Sequence, residues 1–260
     1  KHLIEKAGVL IEALPYIQEF RGAVVVVKFG GSAMEDPERT AGVLRDVVFM
    51  ECAGMKPLIL HGGGKAISGR LQELGIETRF VGGLRYTCEK SIEVVDQVLH
   101  EQVNASLVQG VREHGGPARS MSGKDILRAE RVRGAAGEDL GFVGRVINVD
   151  TEQIRWVLDR NEIPVVTPVG RDMNGNVFNI NADMAACELA AELRARKLVF
   201  LSDVPGILRD AADASTLIST VRSEEVEGLI ADGVIGGGMV PKVRSAVRAL
   251  DAGTGKVHMI

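Results

Sequence analysis

Between residues 23 and 29 the chain reads Ala-Val-Val-Val-Val-Lys-Phe, an apolar, β-branched run broken by a single charge. A run without polar alternation is the pattern of a strand covered on both faces, as in a parallel sheet flanked by helices. Leu58–Leu60, Pro164–Val169, Lys197–Leu201 and Lys256–Ile260 repeat it on a smaller scale. Helical patterns alternate with these runs. Asp36-Pro37-Glu38 supplies an N-cap followed by proline at the first helical position. Further helices are predicted from the glycines at 62–64 to about Gly75, over 89–114, over Ala182–Ala195, near Glu224–Ala231 and from about Met239 to Ala252. The order predicts an α/β fold, a mainly parallel sheet sandwiched by helices.

Three segments depart from the alternation. Ser120–Val149 is polar and Gly-rich, with short alternating pieces such as Val143–Val149 that predict β-hairpins. Gly170–Asn176 (GRDMNGN) predicts a hinge or hairpin between two lobes. Residues 1–20 predict an amphipathic helix, with Leu3, Ile4, Ala7, Leu10, Ile11 and Leu14 at helical spacing, which Pro15 kinks or breaks before Tyr16, Ile17 and Phe20. Its apolar face needs a partner, either the rest of its own chain or another subunit.

Composition narrows the function. Across 260 residues, 31 Lys+Arg stand against 35 Asp+Glu, a net charge of -4 that leaves no basic excess for nucleic acid. With 45% hydrophobic residues the chain can bury a core, which excludes disorder. No run approaches the roughly 18 apolar residues of a membrane span, and the start lacks a signal-peptide pattern. Cys52, Cys88 and Cys187 are widely spaced and odd in number, which suggests neither a disulfide framework nor a metal site and points to a cytoplasmic location. The outlying feature is 31 glycines against only 7 Phe, 2 Tyr and 1 Trp, so close backbone approach is used more than ring stacking.

The glycines gather at Gly30-Gly31, Gly62-Gly63-Gly64 and Gly236-Gly237-Gly238, before predicted helices. Exposed backbone N–H groups at such turns can cradle phosphate or carboxylate, although each cluster alone also reads as a tight turn. There is no GxxxxGK[ST], the dinucleotide fingerprint fails at its third glycine, and protein-kinase signatures are absent. Lys28 interrupts a strand that should be buried, where an unpaired ammonium is costly. Lys242 falls in a first helical turn, where a cation opposes the helix dipole. Both suit an anionic ligand. Asp183 is either a helix cap or a functional carboxylate, and Asn179 and Asn181 alternate on one face of an extended segment to present two amides. Arg85, in a Gly-rich loop, is either solvated or a fork for a carboxylate. His61 reads as structural, because no nucleophile is spaced to use it.

Six stretches, KFGGS at 28–32, HGGGK at 61–65, VGGLRYT at 81–87, NINAD at 179–183, LSDVPGIL at 201–208 and GGGMVPK at 236–242, together resemble the amino acid kinase family, in order along nearly the whole chain. The resemblance implies an open αβα sandwich of two lobes: residues 21–178 binding the acyl substrate and dimerising, and 179–260 binding ATP. It implies transfer from ATP, with Mg²⁺ on the nucleotide and no protein metal site, to the γ-carboxylate of N-acetyl-L-glutamate in arginine biosynthesis. Lys28 and Lys242 would stabilise the transferring phosphoryl group and Asp183 would hold them. Gly30, Gly31, Gly63 and Gly64 would donate backbone hydrogen bonds, and Arg85 and Asn179 would bind the carboxylate and acetamido ends of the substrate. Asp203, Val204, Pro205, Gly206, Ile207 and Leu208, with Val234, Ile235 and Gly236, would line the nucleotide site. A kinked helix over residues 1–20 resembles that of arginine-inhibited hexameric members, implying a homo-oligomer, dimer or hexamer, with arginine as feedback inhibitor. Members usually continue past the final KVHMI through another strand and helix, so the nucleotide lobe is expected to be incomplete. The alternatives are a sister kinase acting on acetylaminoadipate, carbamate, aspartate or UMP, and a non-catalytic sensor of arginine or nucleotide.

Overall fold

The computed structural model describes residues 2–201, 206–210 and 212–260, with side chains at all of these but 2–7, 9, 10 and 32. The chain opens with helix α1 (His2–Phe20), strand β1 (Val24–Phe29), α2 (Pro37–Cys52), β2 (Lys56–His61) and α3 (Gly64–Glu73). A small hairpin of β3 (Phe80–Val81) and β4 (Leu84–Arg85) follows. Gly82 and Gly83 form its turn at φ +55° and +81°. Two successive left-handed residues match the twist of a two-residue hairpin, a conformation glycine adopts without steric cost.

Next come α4 (Glu89–Gln97), a π-helical segment (Val98–Asn104) and α5 (Ala105–Glu113), then β5 (Ala118–Met121), α6 (Gly123–Ile126), β6 (Leu127–Arg133) and β7 (Asp139–Val149). The chain continues through α7 (Thr151–Leu158), β8 (Ile163–Val166), β9 (Val169–Arg171), β10 (Val177–Ile180), α8 (Ala182–Glu192) and β11 (Lys197–Phe200). It ends with α9 (Val226–Ala231), α10 (Met239–Asp251) and β12 (Val257–Met259).

The central sheet has six strands in the order β12-β11-β1-β2-β8-β5, and every neighbouring pair is parallel. β1 lies inside it, with Lys28 opposite Phe200 on one side and Leu60 on the other. Its valines serve two cores. Val24 and Val26 pack with Leu58, Leu60 and α8 on one face. Val25, Val27 and Phe29 pack with α2 and α5 on the other. Burial of each such side chain is worth on the order of 2 kcal/mol. The alternation puts Lys28 on the face of Val24 and Val26, toward α8.

The polar stretch forms hairpins as its pattern predicts. β6 and β7 pair antiparallel, and with β9 and β10 they close a four-stranded barrel. Of residues 170–176, Gly170 and Arg171 belong to β9 and 172–176 form the turn of the β9–β10 hairpin, where Asp172 accepts from the backbone of Asn174 and Asn176. The run Pro164–Val169 is not one strand: pairing in the main sheet stops at Val166 and resumes in the barrel at Val169. Helix α1 runs unbroken through Pro15. The long helix over 89–113 contains the π-helical turn, which its apolar spacing does not reveal.

Candidate active site

Four elements converge at the carboxyl end of β1. Lys28 Nζ lies 3.0 Å from Asp183 Oδ1 in the first turn of α8, and Lys242 Nζ, in the first turn of α10, lies 3.6 Å from Oδ2 of the same carboxylate. The three side chains are only 12%, 21% and 17% exposed. Two ammonium groups share one carboxylate, so the trio carries one unit of positive charge in partly desolvated surroundings. Lys242 also lies 5.7 Å from the centre of the Phe200 ring. The helix cap at this point is Asn181, whose Oδ1 accepts from the backbone of Asp183 and Met184 at 3.0 and 3.1 Å. The cap uses only the oxygen of Asn181, so its Nδ2 group stays on the cleft wall with Asn179, and the Asp183 carboxylate is left for the lysines.

Glycine brings the turns after β1 and β2 together. A Cβ on Gly30 would stand 3.1 Å from Lys28 Nζ and 3.3 Å from Gly62 N, tighter than a side chain tolerates without movement. Gly62 N–H donates to Phe29 O at 2.7 Å. Gly31 takes φ +74°. Beside this junction opens a cleft of about 340 Å³, lined among others by Gly62, Gly63, Gly64, Arg85, Asn179 and Asn181. Lys65, the other lysine beside a glycine cluster, is 76% exposed and paired with Glu35.

Arg85 is buried, at 7% exposure. Nη2 donates to Gly64 O at 2.8 Å and to Ser68 Oγ at 2.7 Å, and the guanidinium carbon lies 4.7 Å from the Phe80 ring centre. Nη1 is buried without a hydrogen-bond partner. Burial pushes the Arg85 pKa down from its ordinary value. A desolvated guanidinium with an unused donor in a cleft is suited to a carboxylate ligand. Asn179 donates through Nδ2 to Thr87 Oγ1 at 3.1 Å, and Thr87 Oγ1 donates to Arg85 O at 2.9 Å. That bond turns the Asn179 Oδ1 into the role of free acceptor. Thr87, Ser68 and Phe80 were not singled out from sequence, although Thr87 closes the VGGLRYT stretch.

Of the residues expected around a nucleotide, Ile207 and Ile235 pack beside α10. Ile235 is buried with Val226 and Val243, and Ile207 packs on the same cluster. The Ile235 side chain is therefore core, and this position can offer a ligand only its backbone. Val234 and Gly236 flank it at the surface, and Gly206–Leu208 pass beside Leu217 and Met259. Asp203, Val204 and Pro205 lie outside the described residues. Larger hollows occur elsewhere, 550 Å³ beside Arg119 and Trp156 and 640 Å³ beside Met184 and Arg244. Arg119 and Arg244 there are already paired, with Glu162 and Glu227, and Arg248 donates to Ser245 Oγ.

The order of these groups along the chain matches one family model, described as the amino acid kinase family, over residues 23–260. The chain belongs to the amino acid kinase family. An acetylglutamate kinase of Heliobacterium modesticaldum is 45% identical over 99% of this chain and 90% of its own length. Among solved family-like structures, N-acetylglutamate synthase of Neisseria gonorrhoeae with coenzyme A and N-acetyl-glutamate superposes with a TM-score of 0.86 at 25% identity. The match covers 98% of this chain and 57% of the synthase. The same synthase solved with coenzyme A and L-arginine gives 0.79 at 25% identity, over 96% of this chain and 58% of that one. The parallel sheet with helices on both faces is the architecture expected of an amino acid kinase.

Proposed function

We propose that this chain transfers the γ-phosphoryl group of ATP to the γ-carboxylate of N-acetyl-L-glutamate, a step of arginine biosynthesis. The observation that carries the reading is the pairing of two ends of one site. Lys28 and Lys242 meet on Asp183 at one end. Arg85 with its unpartnered Nη1, and Asn179 with its free acceptor, stand at the other. The name and 45% identity of the Heliobacterium relative support this choice of acceptor.

The acceptor needs no general base, because a carboxylate of pKa about 4.3 is already ionised at neutral pH. Catalysis reduces to positioning and charge neutralisation. Arg85 takes the α-carboxylate and Asn179 the acetamido N–H, which points the γ-carboxylate toward the lysines. Lys28 and Lys242 neutralise charge on the phosphoryl oxygens in flight, and Asp183 holds the two ammonium groups at fixed separation against their repulsion. Gly30, Gly31, Gly63 and Gly64 add backbone donors. Among the described residues no group of three or more His, Cys, Asp or Glu could hold a metal. The carboxylate of the site among the described residues, Asp183, is engaged by lysines, so Mg²⁺ fits best as an ion carried by the nucleotide, where it would neutralise phosphate charge. Gly206–Leu208 and Val234–Gly236, with Asp203–Pro205, are proposed to line the adenosine side. Residues 21–178 then form the substrate lobe and 179–260 the nucleotide lobe. We propose a cytoplasmic homo-oligomer built through α1 and inhibited by arginine; the arginine-bound synthase supports the last point.

The test is turnover of ATP with N-acetylglutamate, trapping the acyl phosphate with hydroxylamine, beside aspartate, glutamate and acetylaminoadipate. Hydroxamate is expected with N-acetylglutamate above all others. No hydroxamate with any acceptor would overturn the kinase reading.

A further inference from the structure

His61 closes β2 and is fully buried. Its Nδ1 lies 2.7 Å from Gly62 O, and its Nε2 lies 3.1 Å from Asn104 Nδ2. A carbonyl oxygen only accepts, so Nδ1 carries the proton and Nε2 receives one from Asn104. The second hydrogen of the Asn104 amide goes to Val165 O at 2.8 Å, which fixes the way that amide faces. The donors run in one direction, from Asn104 through His61 to Gly62 O. Asn104 comes from the π-helical segment, an uncommon turn that often marks functional sites. Burial holds the ring neutral, with its pKa lowered to about 4.

The carbonyl that His61 holds belongs to the peptide between Gly62 and Gly63. In a planar trans peptide the N–H points opposite to the C=O. Fixing Gly62 O on the His61 side sends the Gly63 N–H away from it, where Gly63 lines the cleft. Among the described residues no acceptor takes that N–H. Glycine on both sides of the peptide leaves little steric barrier to a flip, so the orientation has to be imposed from outside. We propose that His61 and Asn104 are positioning residues that lock the Gly62–Gly63 peptide with its N–H presented to the phosphoryl group in flight. The proposal rests on the kinase reading above and assigns work to a histidine that otherwise counts as core.

The test compares two amides at one position. His61→Asn keeps a donor where Nδ1 stands, whereas His61→Gln moves it to the place of Nε2. His61→Gln is expected to lower kcat about 10- to 100-fold, somewhat less than removal of an oxyanion donor outright, with KM for ATP and N-acetylglutamate changed less than about 3-fold. His61→Asn is expected to recover most of that kcat, and Asn104→Leu to lose it in part. Normal kcat in His61→Gln, equal impairment of the two amides, or a loss expressed wholly in KM would overturn the lock. Should the variants not fold, ¹⁵N spectra of the wild-type histidines decide: a neutral Nδ1–H tautomer at His61 is expected, and Nε2–H would overturn it. Wild type without hydroxamate removes the kinase reading; an active wild type with indifferent histidine variants removes only the lock.

Discussion

Lys28 stands in an interior strand between Phe200 and Leu60, where its ammonium is held by Asp183 and reaches the line of Lys242. Folding alone would place an apolar residue there, since pairing a part-buried charge rarely repays its desolvation. The phosphoryl transfer proposed above supplies a reason. Lys28→Ala and Lys242→Ala are each expected to lower kcat by about 10² or more, as loss of one oxyanion donor does, with the fold intact by circular dichroism. Near-normal turnover in both would remove their role. His61 makes a second residue-scale prediction. Its pKa falls from 6.5 to about 4 on burial, so below pH 6.5 the unfolded chain binds a proton that the native chain refuses. Stability from this group is therefore full above about pH 6.5 and is lost as pH falls toward 4, by up to about 3 kcal/mol. Urea titrations at pH 7.5 and pH 4.5 measure it, and His61→Asn should flatten that part of the dependence.

At the scale of elements, the strands were readable because burial on both faces leaves no polar alternation, and Val24–Phe29 shows that pattern without ambiguity. The turns at Gly30–Gly31 and Gly62–Gly64 were readable because they follow such strands, whereas Gly236–Gly238 follows α9 and not a strand. Three features were not readable. The Asn179/Asn181 pair looked equivalent along an extended segment, but only the start of α8 tells that Asn181 must cap it. The break of residues 164–169 between the main sheet and the barrel depends on which strand each half pairs with, a non-local fact. Asn104 sits in a helix whose spacing looks ordinary, and its partner His61 lies 43 residues away. The break between β8 and β9 also makes a prediction. A Cβ on Gly123, at the start of α6, would fall 2.1 Å from Val169 O and 2.3 Å from Thr167 O, both backbone atoms. Gly123 N–H also donates to Thr167 Oγ1. Gly123→Ala should therefore cost about 3 kcal/mol by overpacking and, because Pro168 lines the cleft, raise KM for the acceptor. Denaturant midpoints and acceptor KM measured on the same preparation test both halves.

For the whole molecule the open question at the start was what covers the helix before the first strand. Its C-terminal end is tied to the body: Glu19 pairs with Arg196, and Lys197 lies 4.4 Å from the Phe20 ring centre. Farther back, Ile11, Leu14 and Tyr16 are 70%, 48% and 67% exposed, and Phe49 on α2 is 61% exposed beside a hollow of 470 Å³ lined by Leu14, Ile17 and Phe49. An isolated helix of 19 residues with its apolar positions in water is marginal, so a second copy is the covering that agrees with the oligomer proposed above. Ile11→Ser with Leu14→Ser is then expected to lower the sedimentation coefficient by a discrete step while leaving kcat for N-acetylglutamate within about 3-fold, because neither residue touches the cleft and subunit exchange acts through mass action. An unchanged sedimentation coefficient would mean that this face is not the contact. A change accompanied by loss of arginine inhibition, at unaltered kcat, would show that the response to arginine travels through the assembly and not through the cleft.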